Sequence, residues 1–485
     1  SRGLVLSTAL ETFGQHGLVP DGEGGAIAVW WEFGGKTGVV MRAQRATFDN
    51  ALPWGEGGVT ATGHPALQRR INRDGAGGAF AVWLEYLDPE FDDYWVRLHA
   101  QHVLPDGSLP WGSEGVAVVD GEIVYLGLRG NGSLAPDGDG GAFLEMQQGG
   151  DGISIAHIAA NGASLWPGGL LLERTYKGFW YPWLGDGAEA FLALRDVCFR
   201  DGKIEGFNAG SSCQESHTEL SRVVTSRSGI EPGLPIRVAG DESVYATIEE
   251  KNTAWGGRAF IVLYETAEVG WAYRVVALDL ADLSFPWGAS GVRVPEMATK
   301  AYGPAFLIPD GLGGVLISWV EGDGEGPDGP GGHQVCHVQH LSADGDPLLP
   351  AAGLGLARSA VCHWGQGPFD RAGVFDIEDI FFGDSLIGLI GPLIQEEPGW
   401  DRPCPVDACL ERLNFSLAPV WDAPVPVIDC GCTSGAETSD VCGQGISEFG
   451  VVSDEHGGAW VLWSENEFVL RLQHVSAEGA VLLDE

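Results

Sequence analysis

His333, Cys336, His337, His340, Cys362 and His363 gather metal-ligating side chains over a short stretch of the chain. Imidazole and thiolate groups at such spacings are the usual ligands of zinc. A second chemistry-bearing set is acidic. Asp137 and Asp139 share one glycine-rich loop, and Asp323, Glu325 and Asp328 share another. Clustered carboxylates and loop carbonyls of this kind suit calcium. A third set is aromatic: Tyr176, Phe179, Trp180, Tyr181 and Trp183 are dense enough to stack against a sugar or a peptide. The same residues could equally pack between structural units. A fourth set is the cysteines: Cys198, Cys213, Cys336, Cys362, Cys404, Cys409, Cys430, Cys432 and Cys442. None forms C-x-x-C, so zinc-ribbon, thioredoxin and c-type haem readings lack their motif. Disulfides outside the cytoplasm fit better. Local pairing joins Cys198 with Cys213, Cys336 with Cys362, and Cys404 with Cys409. Cys442 then pairs with Cys430 or Cys432, and one cysteine is left over or bonded between chains.

What must position these residues is a repeat. Asp21-Gly22-Glu23-Gly24-Gly25-Ala26 runs on to Trp30, and Asp74-Gly75-Ala76-Gly77-Gly78-Ala79 to Trp83. Asp310-Gly311-Leu312-Gly313-Gly314 leads to Trp319, and Asp454 with Gly457 and Gly458 leads to Trp463. Asp137 opens a copy with Met146 in place of tryptophan, and weaker copies begin at Asp186, Asp241 and Asp384. A second half follows: an extended stretch with a basic residue, a turn, a tryptophan (Trp54, Trp111, Trp166, Trp287 or Trp421) and, in the good copies, Gly-Val. Glycine supplies the positive φ of a tight hairpin turn. The apolar run after it reads as a short strand buried on both faces. Its tryptophan fills the wedge between neighbouring sheets. One such unit cannot bury its faces alone, so the units must pack on each other.

Aligning the copies bears on the histidines. His340 falls at the position of Arg45, His102, His157, Arg412 and His474, and His337 at that of Arg42, His99 and Arg471. Arginine is a poor metal ligand. A position that alternates between arginine and histidine reads as a recurring hydrogen-bond donor to a neighbouring carbonyl or carboxylate. The acidic loops likewise lack the full calcium-loop pattern. No cofactor is expected, with calcium the one metal these loops could hold.

The 485 residues carry 67 acidic and 27 basic side chains, a net charge of −40. That field repels phosphate backbones and anionic membrane surfaces, so nucleic acid is excluded as a partner. No apolar run is long enough for a membrane span. The N-terminus has neither a start methionine nor a charged leader, which suggests processing or trimming. No G-x-S-x-G elbow, H-E-x-x-H, P-loop or dinucleotide fingerprint is present.

The D-G-x-G-G-A-x-x-x-W unit resembles the tandem propeller repeats of secreted or surface proteins of bacteria. The second half also resembles the tryptophan-docking repeats of eight-bladed quinoproteins, most closely where Val275-Val276-Ala277-Leu278-Asp279 leads to Trp287. The adjacent cysteine pair of many quinone dehydrogenases is absent, and so is the sialidase-type S-x-D-x-G-x-T-W order. The resemblance implies a propeller fold and a location outside the cytoplasm: the extracellular space, the cell surface or the periplasm.

The expected fold is therefore all-β: a single closed β-propeller of eight blades, seven being the alternative. In the last copy Leu483 takes the tryptophan position, and the missing Gly-Val reappears as Gly3-Leu4-Val5-Leu6. The N-terminal strand is thus expected to complete the last blade. Blades centre near 21–60, 74–118, 137–172, 186–230, 241–294, 310–356, 384–425 and 454–485 with 1–8. Insertions occupy 199–238, 321–335, 357–410 and 428–450. The functional expectation is a non-enzymatic binding or assembly module with a protein partner or self-association, a glycan being a further ligand class. The alternatives are a carbohydrate-active hydrolase or lyase using the central mouth, and a quinone-dependent dehydrogenase.

Overall fold

The computed structural model describes residues 3–8, 16–33, 39–62, 67–86, 95–122, 124–125, 134–148, 152–166, 169–171, 180–181, 190–200, 203–206, 215–226, 229–232, 236–239, 253–255, 258–266, 271–279, 282, 284–299, 301–310, 312–322, 334–350, 353–355, 361–362, 374–375, 381–382, 385–390, 408–414, 420–428, 446–465 and 469–483. These residues form strands and turns, with no helix among them. The chain is all-β. Among the described residues no helix is long and apolar enough to cross a membrane.

Eight sheets of four or more strands are described, and they share one plan. Sheet 1 shows it: His16–Pro20, Ala26–Phe33, Val39–Ala46 and Val59–Thr62 lie side by side in chain order, each antiparallel to the next. The second strand is the core strand. From Ala26 to Trp31 no residue is more than 2% exposed. Burial on both faces explains why its sequence is a continuous apolar run rather than an alternation.

The chain divides into two compact units. The first comprises Ser1–Gly63, Pro105–Gly107 and Lys300–Glu485. It holds sheet 1, sheet 6 (Ala301–Pro309, Val315–Gly322, Gln334–Leu341, Leu354–Gly355) and sheet 7 (Phe381–Phe382, Ser385–Ile390, Ala408–Asn414, Val425–Ile428). It also holds sheet 8, built from Ile446–Ser453, Ala459–Glu465, Val469–Val475 and the N-terminal Leu4–Ser7. Leu4 pairs with Leu472 and Val5 with Arg471. Gly3 has a φ of 68°, and a Cβ there would meet the Leu472 carbonyl and the Trp463 ring. Gly115 makes the same approach to Ala100 and Trp83 in sheet 2, which is why this position admits only glycine. A short parallel pair, Val361–Cys362 with Val374–Phe375, lies outside the repeat plan.

The second unit comprises His64–Leu104 and Ser108–Thr299. Its sheet 2 (Leu67–Arg73, Ala79–Tyr86, Trp95–Val103, Val116–Glu122) and sheet 5 (Thr253–Trp255, Arg258–Thr266, Trp271–Asp279, Val292–Thr299) follow the plan closely. Sheet 3 is Val124–Tyr125, Leu134–Pro136, Ala142–Gln148, Gly152–Ile158 and Leu170–Leu171. In sheet 4 the hairpin of Ala190–Arg200 with Glu215–Ser226 is unusually long. Near its base it is flanked by Trp180–Tyr181 and Gly229–Pro232, and further out by Lys203–Gly206 and Ile236–Ala239.

Within each unit, the sheets bury shared apolar layers. Phe80, Val82, Leu98 and Trp111 of sheet 2 pack with Leu144, Ala156 and Ile158 of sheet 3. Leu18, Ala28 and Trp30 of sheet 1 pack with Trp460, Leu462 and Leu472 of sheet 8. Truncating one such fully buried tryptophan to alanine costs about 3–5 kcal/mol, so these layers hold the sheets together.

Candidate functional site

The D-G-x-G-G segment forms the turn between the first and second strands of its sheet. The aspartate closes it. Asp74 Oδ1 accepts hydrogen bonds from the backbone amides of Ala76 and Gly78, each at 2.7 Å. Its own amide donates to the Gly78 carbonyl. Asp21, Asp137, Asp310 and Asp454 repeat this pattern with their own turn amides.

The second carboxylate oxygen looks the other way, to the third strand. There it meets the residue that alternates between arginine and histidine. His102 Nε2 donates to Asp74 Oδ2 at 2.8 Å, His157 to Asp137 at 2.9 Å, and His340 to Asp310 at 2.9 Å. His474 lies 3.1 Å from Asp454, and Arg45 Nε donates to Asp21 at 2.8 Å. An ionised carboxylate only accepts, so the histidine nitrogen facing it carries the proton.

Burial alone pushes the carboxyls of Asp74, Asp137, Asp310 and Asp454 up. The histidine hydrogen bond, the two turn amides and the histidine's charge outweigh it, and all four lie below the ordinary carboxylate value. The groups are therefore held as anions by fixed donors.

Two further rows of polar side chains surround this unit. Three residues before the Asp-facing position, Arg42 Nε donates to Glu32 Oε1 at 2.7 Å and His99 Nε2 pairs with Glu85 Oε2 at 2.8 Å. One residue before it stands a glutamine. Gln44 and Gln101 donate to the carbonyls of Gly55 and Gly112, bracing the turn after the third strand. Gln339 and Gln473 brace their turns in the same way. The glutamines were legible as a register mate of the Arg/His position, although sequence analysis did not single them out.

The tryptophan after the third strand docks on a turn. Trp111 Nε1 donates to the Ala160 carbonyl at 3.0 Å, and Trp421 Nε1 to the Ala477 carbonyl at 2.8 Å. Trp54 Nε1 donates to the Pro105 carbonyl at 3.0 Å, within the first unit. Two residues beyond each acceptor is a left-handed glycine: Gly162, Gly479 and Gly107. A Cβ on Gly107 would sit 3.0 Å from the Trp54 ring, so glycine there makes room for the indole.

The candidate sites distribute as follows. His340 belongs to the turn unit, and His337 stacks on Trp319 with ring centres 5.5 Å apart. His333 and His363 lie outside the described residues. Both oxygens of Asp137 are held by N–H donors of its own unit, and Asp139 is exposed. Among the described residues no group of three His, Cys, Asp or Glu side chains is placed to hold a metal. Asp323 and Asp328 lie outside them, as do Tyr176, Phe179 and Trp183. Trp180–Tyr181 forms a short strand paired with Leu192 and Ala193. Cys409 is buried and disulfide-bonded. Cys198, Cys336 and Cys362 lie on strands whose side chains are not described there, and Cys213, Cys404, Cys430, Cys432 and Cys442 lie outside the described residues.

No family model and no curated protein matches this chain. Among solved structures it is similar to the β-propeller domain of the Trilobed protease from Pyrococcus furiosus, at 11% identity and a TM-score of 0.39, covering 82% of this chain and 92% of that one. It is similar to the polysaccharide lyase Uly1 at 10% identity and 0.39, covering 68% and 78%. The endo-arabinase from Bacteroides thetaiotaomicron follows at 12% and 0.24, covering 69% and 96%. Likeness at this level transfers no activity.

Proposed function

We propose that the chain is an eight-bladed β-propeller acting outside the cytoplasm as a non-enzymatic binding or assembly module. The observation that carries this reading is the commitment of its polar groups. In the five described turns, aspartate, arginine and histidine hold backbone and each other. Groups committed in this way are not available to a substrate. What individualises the chain lies in the elaborated segments: the long hairpin of sheet 4, the aromatic run from Tyr176 to Trp183 and the cysteine-bearing insertions. Long insertions on a rigid scaffold are common carriers of recognition.

Eight sheets of one plan, with Leu4–Ser7 completing the last of them, support the propeller and its closure. The disulfide at Cys409 supports an oxidising compartment. The expected partner is a protein or a second copy of this chain.

The test is direct. The purified chain is presented to a panel of polysaccharides and peptides while released products are measured, and its own mass is followed by light scattering against concentration. Self-association or saturable binding to a panel member without product is expected. Turnover of any panel member sinks the proposal in favour of a carbohydrate-active or peptide-cleaving enzyme. A monomer that binds nothing on the panel sinks it as well.

A further inference from the structure

The turn after the third strand recurs as Leu104-Pro105-Asp106-Gly107, Ala159-Ala160-Asn161-Gly162, Ser342-Ala343-Asp344-Gly345 and Ser476-Ala477-Glu478-Gly479. In sheet 1 it reads Thr47-Phe48-Asp49-Asn50. Two things change there. A phenylalanine replaces the small residue or proline whose carbonyl receives the docking indole. An asparagine, with a φ of 66°, replaces the left-handed glycine.

The residue that would dock on this turn from sheet 8 changes too. It is Leu483, which has no N–H to give from its side chain. Leu349 is a second leucine at the tryptophan position, although the turn it would face lies outside the described residues. The substitutions at Asn50 and Leu483 compensate each other. The side chain added at Asn50 takes the side of the turn on which the indole ring lies elsewhere.

Asn50 also makes a new bond. Its side-chain amide lies 2.8 Å from Nδ1 of His474, whose Nε2 faces Asp454. At the matching place in sheet 2, His102 Nδ1 is buried with no hydrogen-bond partner among the described residues. Phe48 completes the contact: its ring centre is 4.4 Å from that of His456 and 5.7 Å from that of His474. His474 is itself sandwiched by Trp460, with ring centres 4.0 Å apart.

We infer that Phe48, Asn50, His474 and Leu483 form a closure lock where sheet 8 meets sheet 1, and that this junction opens while the sheets beside it stay folded. The second half of the inference rests on chain connectivity. Trp111 and Ala160 are 49 residues apart, and Trp421 and Ala477 are 56 apart. Asn50 and His474 are 424 apart. Leu4 pairs with Leu472 across a similarly long stretch of chain, and closing a longer loop costs more entropy, so once Leu4–Ser7 leaves sheet 8 this junction has the least help from the backbone. Local opening concentrates where such help is least.

Native-state hydrogen exchange on the full chain tests this. In the unaltered protein, the amides of Val469–Val475 and of the 47–51 turn are expected to exchange through a more accessible opening than those of Ala79–Tyr86. Asn50→Ala is expected to speed exchange there at least tenfold and leave Ala142–Gln148 unchanged. Uniform acceleration across both units, or none, overturns the lock. If Asn50→Ala does not fold, N50G and N50G/L483W carry the test. The double variant rebuilds the glycine–tryptophan dock and should exchange at least tenfold more slowly than N50G alone. Equal rates in those two variants would also overturn it.

Discussion

Asp74→Ala is the most informative single substitution in the turn units. Asp74 is 8% exposed and accepts three hydrogen bonds, from Ala76 N, Gly78 N and His102 Nε2. A hydrogen bond to a charged group contributes about 1.5–3 kcal/mol, and an orphaned buried donor costs about 1–3 kcal/mol. The three bonds share one anion whose own burial is unfavourable, so they do not add fully. A loss of about 3–5 kcal/mol is expected, at the upper end for one substitution. Asp74→Asn should cost about 1–2 kcal/mol. Its oxygen still accepts the turn amides, and its NH2 can face a neutral His102 that offers a lone pair. Urea unfolding followed by tryptophan fluorescence reads the global effect, and exchange of the Ala76 and Gly78 amides reads the local one. Glu56→Ala, at an exposed turn position, is the control. If Asp74→Ala costs no more than that control, the aspartate does not hold the turn.

Three further outcomes follow from the same geometry. Acid should weaken the fold: the four aspartates lie below their ordinary value in the folded state, so their contribution is complete above about pH 4 and lost as pH falls through the lower folded values. A melting curve between pH 6 and pH 2 should show this, with a shallower acid slope in Asp74→Asn; equal slopes would count against it. Glu455 holds a φ of 56° where Gly22, Gly75 and Gly138 hold 75°, 78° and 82°, so Glu455→Gly should stabilise by about 1 kcal/mol, and a lower melting temperature would refute the strain argument. Trp111→Phe keeps much of the buried ring but loses the bond to Ala160, and should cost about 1–2 kcal/mol in urea unfolding; a neutral result would assign the dock to packing alone.

The repeating parts were legible because they recur. Alignment exposed the turn aspartate, the core tryptophan and the Arg/His donor, since each copy is an independent trial of one solution. Alignment left that donor a choice of carbonyl or carboxylate, and the geometry shows the carboxylate of its own turn. The match between Asn50 and Leu483 on which the proposed lock rests was less visible, because each looks like a lapse from the repeat until the turn and docking positions are aligned with one another. The parallel pair of Val361–Cys362 with Val374–Phe375 was invisible for a related reason: it has no counterpart to align with. The long hairpin of sheet 4, Ala190–Arg200 with Glu215–Ser226, falls where the expected blade over 186–230 and insertion over 199–238 overlap; its length was not legible, since a ladder of backbone bonds can continue without any repeat signature.

The way each turn is fastened bears on how such a chain could lengthen. Asp21 and Arg45 are 24 residues apart, Asp74 and His102 are 28 apart, and Asp454 and His474 are 20 apart. Each of the five described hairpins therefore carries its own clasp inside a single copied segment. A duplicated segment arrives with its most costly buried charge already neutralised, before any neighbour has adapted to it. The clasp also tolerates drift: a guanidinium or an imidazole reaches the same oxygen, so one can replace the other without loss of the turn.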